Sequence, residues 1–238
     1  MKINWGIIKI LIISALIVLL FSFSKQRNEL RKITKIEVEF VEENELFITQ
    51  NSVNKLLIQK KDSATSIDKE TLVLNKMESG LLKNQMIKNA EVFITIDGVL
   101  GVKIEQRKPI ARVSGHPDFY IDEEGKKMPL SIEYSARVPI VTGESKDMFS
   151  ELTQLLLKIN EDDFMKESVI GIHVESDGNI ILSMRKNNFN VLFGKVKEVE
   201  KKFQNFKAFY NKTKQDSLLT SYSLVNLKFN NQVVATKR

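Results

Sequence analysis

The residues that most often do chemistry are few in this chain, and they lie far apart. The 238-residue sequence has two histidines, His116 and His173, and no cysteine. Without cysteine the chain can form no disulfide, no thiolate metal site and no cysteine nucleophile. The two histidines fall in different predicted elements, and we interpret His173 as an exposed strand residue rather than a base or a ligand.

The acidic residues do not indicate a paired catalytic site either. Glu123 and Glu124 are adjacent, as are Asp162 and Asp163, and neighbours in a helix or strand point in different directions. The sequence contains no nucleophile elbow, no glycine-rich phosphate loop and no HExxH zinc motif. We therefore predict no catalytic, cofactor-binding or metal-binding residues, and we expect that the protein is not an enzyme.

The net charge of +6 raises nucleic acid or anionic lipid as possible partners. The lysines, however, are scattered and interleaved with acids, as in Lys60-Lys61 and Lys126-Lys127. Aromatic residues do not alternate with them as stacking platforms for bases would. This pattern favours a solvated, lysine-rich surface, and we predict no nucleic-acid partner.

An apolar segment near the amino terminus, Trp5 to Phe23, has the length of a membrane span. Its 19 residues contain one charge, Lys9, and rise about 28 Å as a helix. We predict a short tail at 1–5 and a transmembrane helix at 6–24. A cleaved signal peptide is the alternative, although Ser22-Phe23-Ser24 is a poor cleavage site. Basic residues occur on both sides, so charge alone does not determine the orientation.

After this segment the apolar pattern predicts a small α+β unit. Ile36, Val38 and Phe40 alternate with glutamates, which is typical of a half-buried strand. Two amphipathic helices follow, the first capped by Thr49 or Asn51, and a loop from Lys60 to Ser66 separates them. Two alternating strands meet at the Asp97-Gly98 turn. The order strand–helix–helix–strand–strand buries one sheet face under two helices. The apolar positions are Val53, Leu56 and Leu57 in the first helix, Leu74, Met77 and Leu81 in the second, and Val92, Ile94, Ile96, Leu100, Val102 and Ile104 in the hairpin.

The rest of the chain, 109–238, predicts a second body: a mixed α/β domain on an antiparallel-rich sheet with two helices. Its clearest strand signal is the hairpin around Asp177-Gly178. Its helices show apolar residues at steps of three and four, and the polar run Asn211 to Ser217 predicts a loop. The helical positions are Met148, Leu152, Leu155, Leu156 and Ile159, then Val196, Val199, Phe203, Phe206 and Tyr210.

Several short motifs occur in one order over nearly the whole chain. They are Ile36-Glu37-Val38, Gln106-Arg107-Lys108-Pro109-Ile110-Ala111, Tyr120-Ile121-Asp122 through Gly125 to Pro129, Val138-Pro139-Ile140 through Gly143, Val191-Leu192-Phe193-Gly194, and Val225-Asn226-Leu227-Lys228-Phe229. In this order they resemble the FtsQ/DivIB family of single-pass bacterial cell-division proteins. The unit at 25–108, with its short preceding linker, is similar to that family's POTRA domain. Two positions depart from the family pattern, because Gln106 and Asn226 stand where an acid is usual.

The resemblance implies a non-catalytic scaffold of the divisome. Such a protein links early cytoplasmic division proteins to septal peptidoglycan synthesis through FtsB-like and FtsL-like bitopic partners, and it meets other divisome components through the POTRA-like domain. The resemblance also implies a topology: a cytoplasmic amino terminus, an anchor in the bacterial plasma membrane, and a body outside the cytoplasm, enriched at the division septum.

The last predicted strand is the candidate partner-binding site. An alternating strand can offer an unpaired backbone edge to another chain, which then adds a strand to the sheet. The alternative is an interior strand that Gln232 to Thr236 covers. The candidate residues are Tyr222, Leu224, Val225, Asn226, Leu227, Lys228 and Phe229.

A second function class is a POTRA-bearing accessory protein of membrane assembly or transport. That class is typically built from several POTRA repeats, whereas the sequence predicts one such unit. A third class is a membrane-anchored cell-wall enzyme, but this sequence offers no candidate nucleophile, base or metal site for it.

Overall fold

The chain divides into two compact units. The computed structural model describes residues 5–29, 35–42, 46–58, 70–144, 148–186, 188–229 and 232–238. The first unit comprises Met1–Asn44 and Ile48–Gln106, and the second comprises Glu45–Phe47 and Arg107–Arg238.

The amino-terminal segment forms a helix, α1 (Trp5–Glu29), with its large apolar side chains exposed from Ile8 to Phe23. In the described part of the chain, no helix combines the length and the apolarity that crossing a membrane requires. The segment predicted at 6–24 is helical within α1, but as a membrane span it is not found among these described residues.

The first unit has the predicted strand–helix–helix–strand–strand order. The strands are β1 (Lys35–Phe40), β2 (Ile87–Ile94) and β3 (Val99–Gln106). β3 lies in the centre of this sheet, parallel to β1 and antiparallel to β2. The helices are α2 (Gln50–Ile58) and α3 (Glu70–Leu81). The loop predicted at 60–66 lies outside the described residues.

Local sequence signals account for the ends of these elements. Thr49 Oγ1 accepts a hydrogen bond from the Ser52 backbone N–H at 3.2 Å, which caps α2 as predicted. Gly98 adopts a positive φ of 81° in the β2–β3 turn, a conformation in which glycine has no steric cost. Most of the predicted apolar positions of the helices and strands form the core, but the prediction is wrong for Ile96, which lies beyond the end of β2 and is 81% exposed. Those that are buried are Val53, Leu57, Met77, Leu81, Val92, Leu100, Val102 and Ile104.

The second unit is built on one sheet, with nine strands in the described residues. The strands are β4 (Pro109–Val113), β5 (Phe119–Asp122), β6 (Lys127–Pro129), β7 (Ile140–Gly143), β8 (Val169–Val174), β9 (Ile180–Met184), β10 (Asn190–Gly194), β11 (Tyr222–Asn226) and β12 (Val234–Lys237). Their spatial order is β12-β11-β10-β9-β8-β7-β4-β5-β6. Five of the eight neighbouring pairs are antiparallel, so the prediction of an antiparallel-rich sheet is confirmed.

Three helices, not the predicted two, occur in the described part of this unit: α4 (Phe149–Glu161), α5 (Asp163–Ser168) and α6 (Val199–Gln215). α5 has six residues, too few to show a period in the sequence, and it begins because Asp162 accepts a hydrogen bond from Met165 N–H. The loop predicted from Asn211 to Ser217 is wrong as far as Gln215. There Thr213 Oγ1 donates to the Phe209 carbonyl at 2.8 Å inside the continuing helix.

The start of the second unit is held by a buried ion pair. Arg107 Nη1 lies 2.7 Å from Asp122 Oδ2 and 2.9 Å from Glu124 Oε2. Asp122 is 2% exposed, and its other oxygen accepts the backbone N–H groups of Glu124 and Lys126 at 2.9 and 2.7 Å. Burial lowers the pKa of Arg107, but its hydrogen bonds to the two carboxylates outweigh this and raise it. Hydrogen bonds from Lys126 and Arg107 lower the pKa of Glu124 to about 2.

We expect Asp122→Asn to lower the free energy of unfolding by about 3 kcal/mol, because it leaves a partly buried guanidinium without its main counter-charge. Glu124→Gln is the matched control: it removes a carboxylate from the same arginine at an exposed position, and it should have a much smaller effect. Urea unfolding followed by circular dichroism measures both. Equal effects of the two substitutions would contradict the role of the buried pair.

Candidate partner-binding edge

The predicted partner-binding strand lies one position inside the sheet. β11 pairs in parallel with β10, where Val191 faces Val225, and it pairs antiparallel with β12, where Val225 faces Ala235. The Leu227 N–H donates to the Leu192 carbonyl at 2.9 Å and extends the pairing by one residue. The expected unpaired edge at 222–229 is therefore wrong over β11, and the alternative of a covered interior strand is correct.

The side chains of the seven candidate residues lie in different environments. Val225 and Leu227 are buried, whereas Tyr222, Leu224 and Asn226 are half-buried, and Lys228 and Phe229 are exposed. The buried side chains of Val225 and Leu227, together with the paired backbone of β11, therefore hold the sheet together. That any of them contacts a partner stays a prediction.

Two of the candidates also have structural partners that the sequence pattern did not indicate. Asn226 Oδ1 accepts the Lys228 backbone N–H at 2.9 Å, so this amide shapes the chain directly after β11. The Tyr222 ring packs edge-on against Phe209 of α6, with 5.5 Å between ring centroids. Both contacts are internal to the unit.

The glycine that ends β10 allows the chain after β11 to approach closely. Gly194 has a φ of 75°, and a Cβ placed on it would lie 2.7 Å from Lys228 Cγ. A side chain at 194 would therefore be strained both by its backbone conformation and by contact. This explains the glycine at the end of the Val191-Leu192-Phe193-Gly194 stretch.

The terminal strand in space is β12, which has no neighbour on its outer side among the described residues. The Arg238 N–H donates inward to the Ser221 carbonyl at 2.9 Å, and the Thr236 carbonyl accepts inward from Ser223 Oγ at 3.2 Å. Backbone groups of successive strand residues face opposite sides. Ala235 and Lys237 therefore direct their backbone N–H and C=O groups outward, where an added strand would bind.

The side chains from 233 to 236 alternate between half-buried and exposed positions. Val233 and Ala235 pack against the core of the unit, whereas Val234, Thr236 and Lys237 are exposed. The sequence indicates Gln232 to Thr236 only as a segment that could cover the preceding strand, without indicating that it lies at the end of the sheet.

Residues with catalytic potential are not gathered at this edge. His173 is exposed on β8, as predicted, and its Nδ1 lies 2.9 Å from Thr142 Oγ1. Asp162 caps α5 and pairs with Lys207 of α6, while the neighbouring Asp163 begins α5. In the described ranges, no group of three or more acidic or histidine side chains is arranged to hold a metal ion.

Two family descriptions match the chain. Residues 108–236 match "FtsQ/DivIB, C-terminal related", which covers more than half of the 238 residues. Residues 31–105 match "POTRA-like domain". Comparison with curated proteins gives no match.

We expect Val225→Ala to lower the free energy of unfolding by about 2 kcal/mol, because it opens a cavity among buried residues in the centre of a paired strand. Lys228→Ala, three residues further along at an exposed position, should change it by less than about 0.5 kcal/mol. Chemical unfolding of both variants measures the difference. A Val225→Ala variant as stable as the parent would show that β11 is not a core strand.

Proposed function

The chain belongs to the FtsQ/DivIB C-terminal related family, and we propose that it is a non-catalytic scaffold of the bacterial division machinery. In this proposal it links early cytoplasmic division proteins to septal peptidoglycan synthesis. It does so by binding FtsB-like and FtsL-like bitopic proteins along the outer edge of β12. The observation that carries the proposal is the position of β12 at the end of the sheet, with backbone groups directed outward.

An outer strand edge is a sufficient binding site for an extended peptide. Each main-chain hydrogen bond contributes about 0.5–1.5 kcal/mol net, and alternate side chains of the added strand provide specificity. Val234 and Thr236 are exposed on the face of β12 opposite to Val233 and Ala235. An added strand would therefore place its alternate side chains next to these two residues on one face.

The opposite end of the same sheet is a much poorer template. β6 has three residues and ends in Pro129, which has no backbone N–H. Short edge strands and edge prolines are features by which proteins prevent strand addition. β6 thus has the features of an edge that is protected from strand addition, whereas the edge at β12 is the one that we propose binds partners.

Ala235→Pro is expected to abolish capture of FtsB-like and FtsL-like proteins. Proline removes the outward N–H at 235 and leaves the inward donor of Arg238 in place. Ala235→Ser is the matched control, because it changes the same side chain and keeps every backbone donor. Affinity purification of the tagged full-length protein from cells, with cell length as a second measurement, compares the variants.

Thermal unfolding decides whether a loss of capture is local. A folded Ala235→Pro variant that still captures both bitopic proteins and supports normal division would refute binding at β12. Lys237→Pro removes the other outward N–H and provides an independent variant if Ala235→Pro unfolds.

We further propose that other divisome components bind the first unit at the outer edge of β1. β1 is an end strand of its sheet, and a cleft of about 450 Å³ is lined by β1 and α2 together with residues of β2 and β3. Gln50 Nε2 of α2 donates to the Val38 carbonyl at 3.2 Å, and the neighbouring Asn54 Oδ1 is buried without a hydrogen-bond partner. A buried unsatisfied acceptor is costly, and a backbone N–H from an added strand would satisfy it. These components should remain bound to the Ala235→Pro variant.

The proposed location is the plasma membrane at the division septum, with the body outside the cytoplasm. Its support is family membership and the consecutive exposed apolar side chains of α1, which leave no polar face to water from Leu16 to Phe21. Alkaline phosphatase fused after Arg238 is active only outside the cytoplasm, and we expect it to be active. A cytoplasm-restricted fluorescent reporter at the same position should stay dark, and bright fluorescence there would overturn the location.

A further inference from the structure

The second unit contains a cleft, about 570 Å³ in volume, that no step of the scaffold function uses. It lies between the end of α5, the end of β9, the carboxyl-terminal part of α6 and the segment around Arg137. We propose that this basic cleft is a docking site for an acidic peptide segment of a partner protein. In the complex, an apolar side chain of the segment would rest on Phe164 and Tyr210.

The charge of the basic cleft is strongly one-sided. One carboxylate, Glu167, lines it together with five cationic side chains, which gives the lining a net charge of +4. The whole chain carries +6, so the rest of the protein is close to neutral by comparison. The five cations are Arg137, Lys166, Arg185, Lys186 and Lys214.

These cations are not neutralised within the unit. Among the described residues, none of the five lies within 4.0 Å of a carboxylate oxygen. Arg185 donates through Nε to the Glu167 carbonyl oxygen at 3.0 Å, a contact with a neutral group that fixes the guanidinium. Other cations of the same unit are paired, as Lys158 is with Glu161 and Glu200. Mutual repulsion of the five is relieved when an anionic segment binds.

Two aromatic rings give the basic cleft an apolar surface. Phe164 and Tyr210 pack edge-on, with 5.0 Å between ring centroids. The buried ring of Phe206 lies behind both, at 6.1 and 6.2 Å. Because this third ring is fully enclosed, the pair is supported from the core and does not need to be ordered by the ligand.

The shape and composition of the cleft favour an acidic peptide over other anions. A lipid surface is flat and meets protruding cations, whereas these cations line a concavity. A volume of about 570 Å³ is far larger than one phosphate and lies in the range of ordinary ligand sites. Single-stranded nucleic acid stacks on successive separated aromatics, while these two rings meet edge to edge.

The basic cleft is independent of the β12 edge in its chemistry. Strand addition at β12 depends on backbone donors and acceptors, and it tolerates changes of side chain. Docking in the cleft depends on side-chain charge, so it weakens as salt screens that charge. Failure of one site therefore does not imply failure of the other.

The test measures fluorescence anisotropy of a labelled glutamate-rich peptide with one central phenylalanine, titrated with the purified full-length protein in mild detergent. The double variant Lys166→Gln and Lys214→Gln should bind it about tenfold more weakly, as expected for two solvent-accessible ionic contacts. The control is the double variant Lys197→Gln and Lys212→Gln. It makes the same change of net charge at exposed lysines outside the cleft, and Lys212 shares the last turn of α6 with Lys214.

The control variant should bind within twofold of the parent, and circular dichroism should show both variants folded. Equal weakening of the two double variants would overturn the proposal, since net charge alone would then explain binding. It would also be overturned if the peptide fails to bind while vesicles containing phosphatidylglycerol, or a single-stranded oligonucleotide, bind and lose affinity in the cleft variant.

The aromatic part of the proposal has its own measurement. An all-glutamate peptide should bind the parent more weakly than the phenylalanine-containing peptide, and Tyr210→Ala should remove that difference. If both peptides bind the parent equally, no apolar side chain rests on Phe164 and Tyr210, and that part of the proposal is wrong.

Discussion

The ion pair between Arg107 and Asp122 is the constraint from which the second unit is built. Arg107 stands two residues before β4, and Asp122 is the last residue of β5, so the pair joins the entrance of the unit to its first hairpin. The Glu123 N–H donates to the Lys108 carbonyl at 3.2 Å and fixes the same junction through the backbone. Because Asp122 is buried, its charge must be matched there, and the observed arrangement of β4 and β5 brings Arg107 within 2.7 Å of it.

The remaining strands extend from this hairpin as one continuous ladder. β4 pairs in parallel with β7, β7 with β8, and the hairpins and crossovers that follow lead to β12 at the far end. The position of a strand in the sheet determines whether it can bind a partner by strand addition, because an interior strand has no unpaired backbone groups left. The free edge is therefore a consequence of how many strands the chain adds after the first hairpin, and of which strand it adds last.

The sequence predicted those elements whose signals are local. The β8–β9 hairpin follows from alternation around Asp177-Gly178, and the stripes of α4 and α6 follow from apolar steps of three and four. β4 was not predicted, because its five residues begin with a proline and show no alternation. The polar run Asn211 to Ser217 predicts a loop, although α6 continues to Gln215 with one buried threonine, Thr213, in that stretch.

The place of the candidate strand could not be predicted because strand order is a non-local property. β10 and β11 are neighbours only after α6 has crossed over between them, which makes their pairing parallel. No pattern inside 222–229 records that crossover, nor that four further residues would return to cover the strand. The pattern of alternation therefore predicts β11 as a strand, but not that β12 lies outside it at the edge of the sheet.

The basic cleft differs from the β12 edge in its physical basis, because it depends on the distribution of side-chain charge. At the junction, Arg107 is matched by two carboxylates, and on α4 Lys158 is also matched by two. In the basic cleft, by contrast, cations from α5, α6 and the end of β9 converge with their charges unmatched in the described structure. Folding alone does not favour such a cluster, because the same cationic side chains would repel one another less if they were separated and solvated. A surface that is electrostatically unfavourable in the isolated unit, and that surrounds a rigid aromatic pair, is organised for a ligand that supplies the missing negative charge.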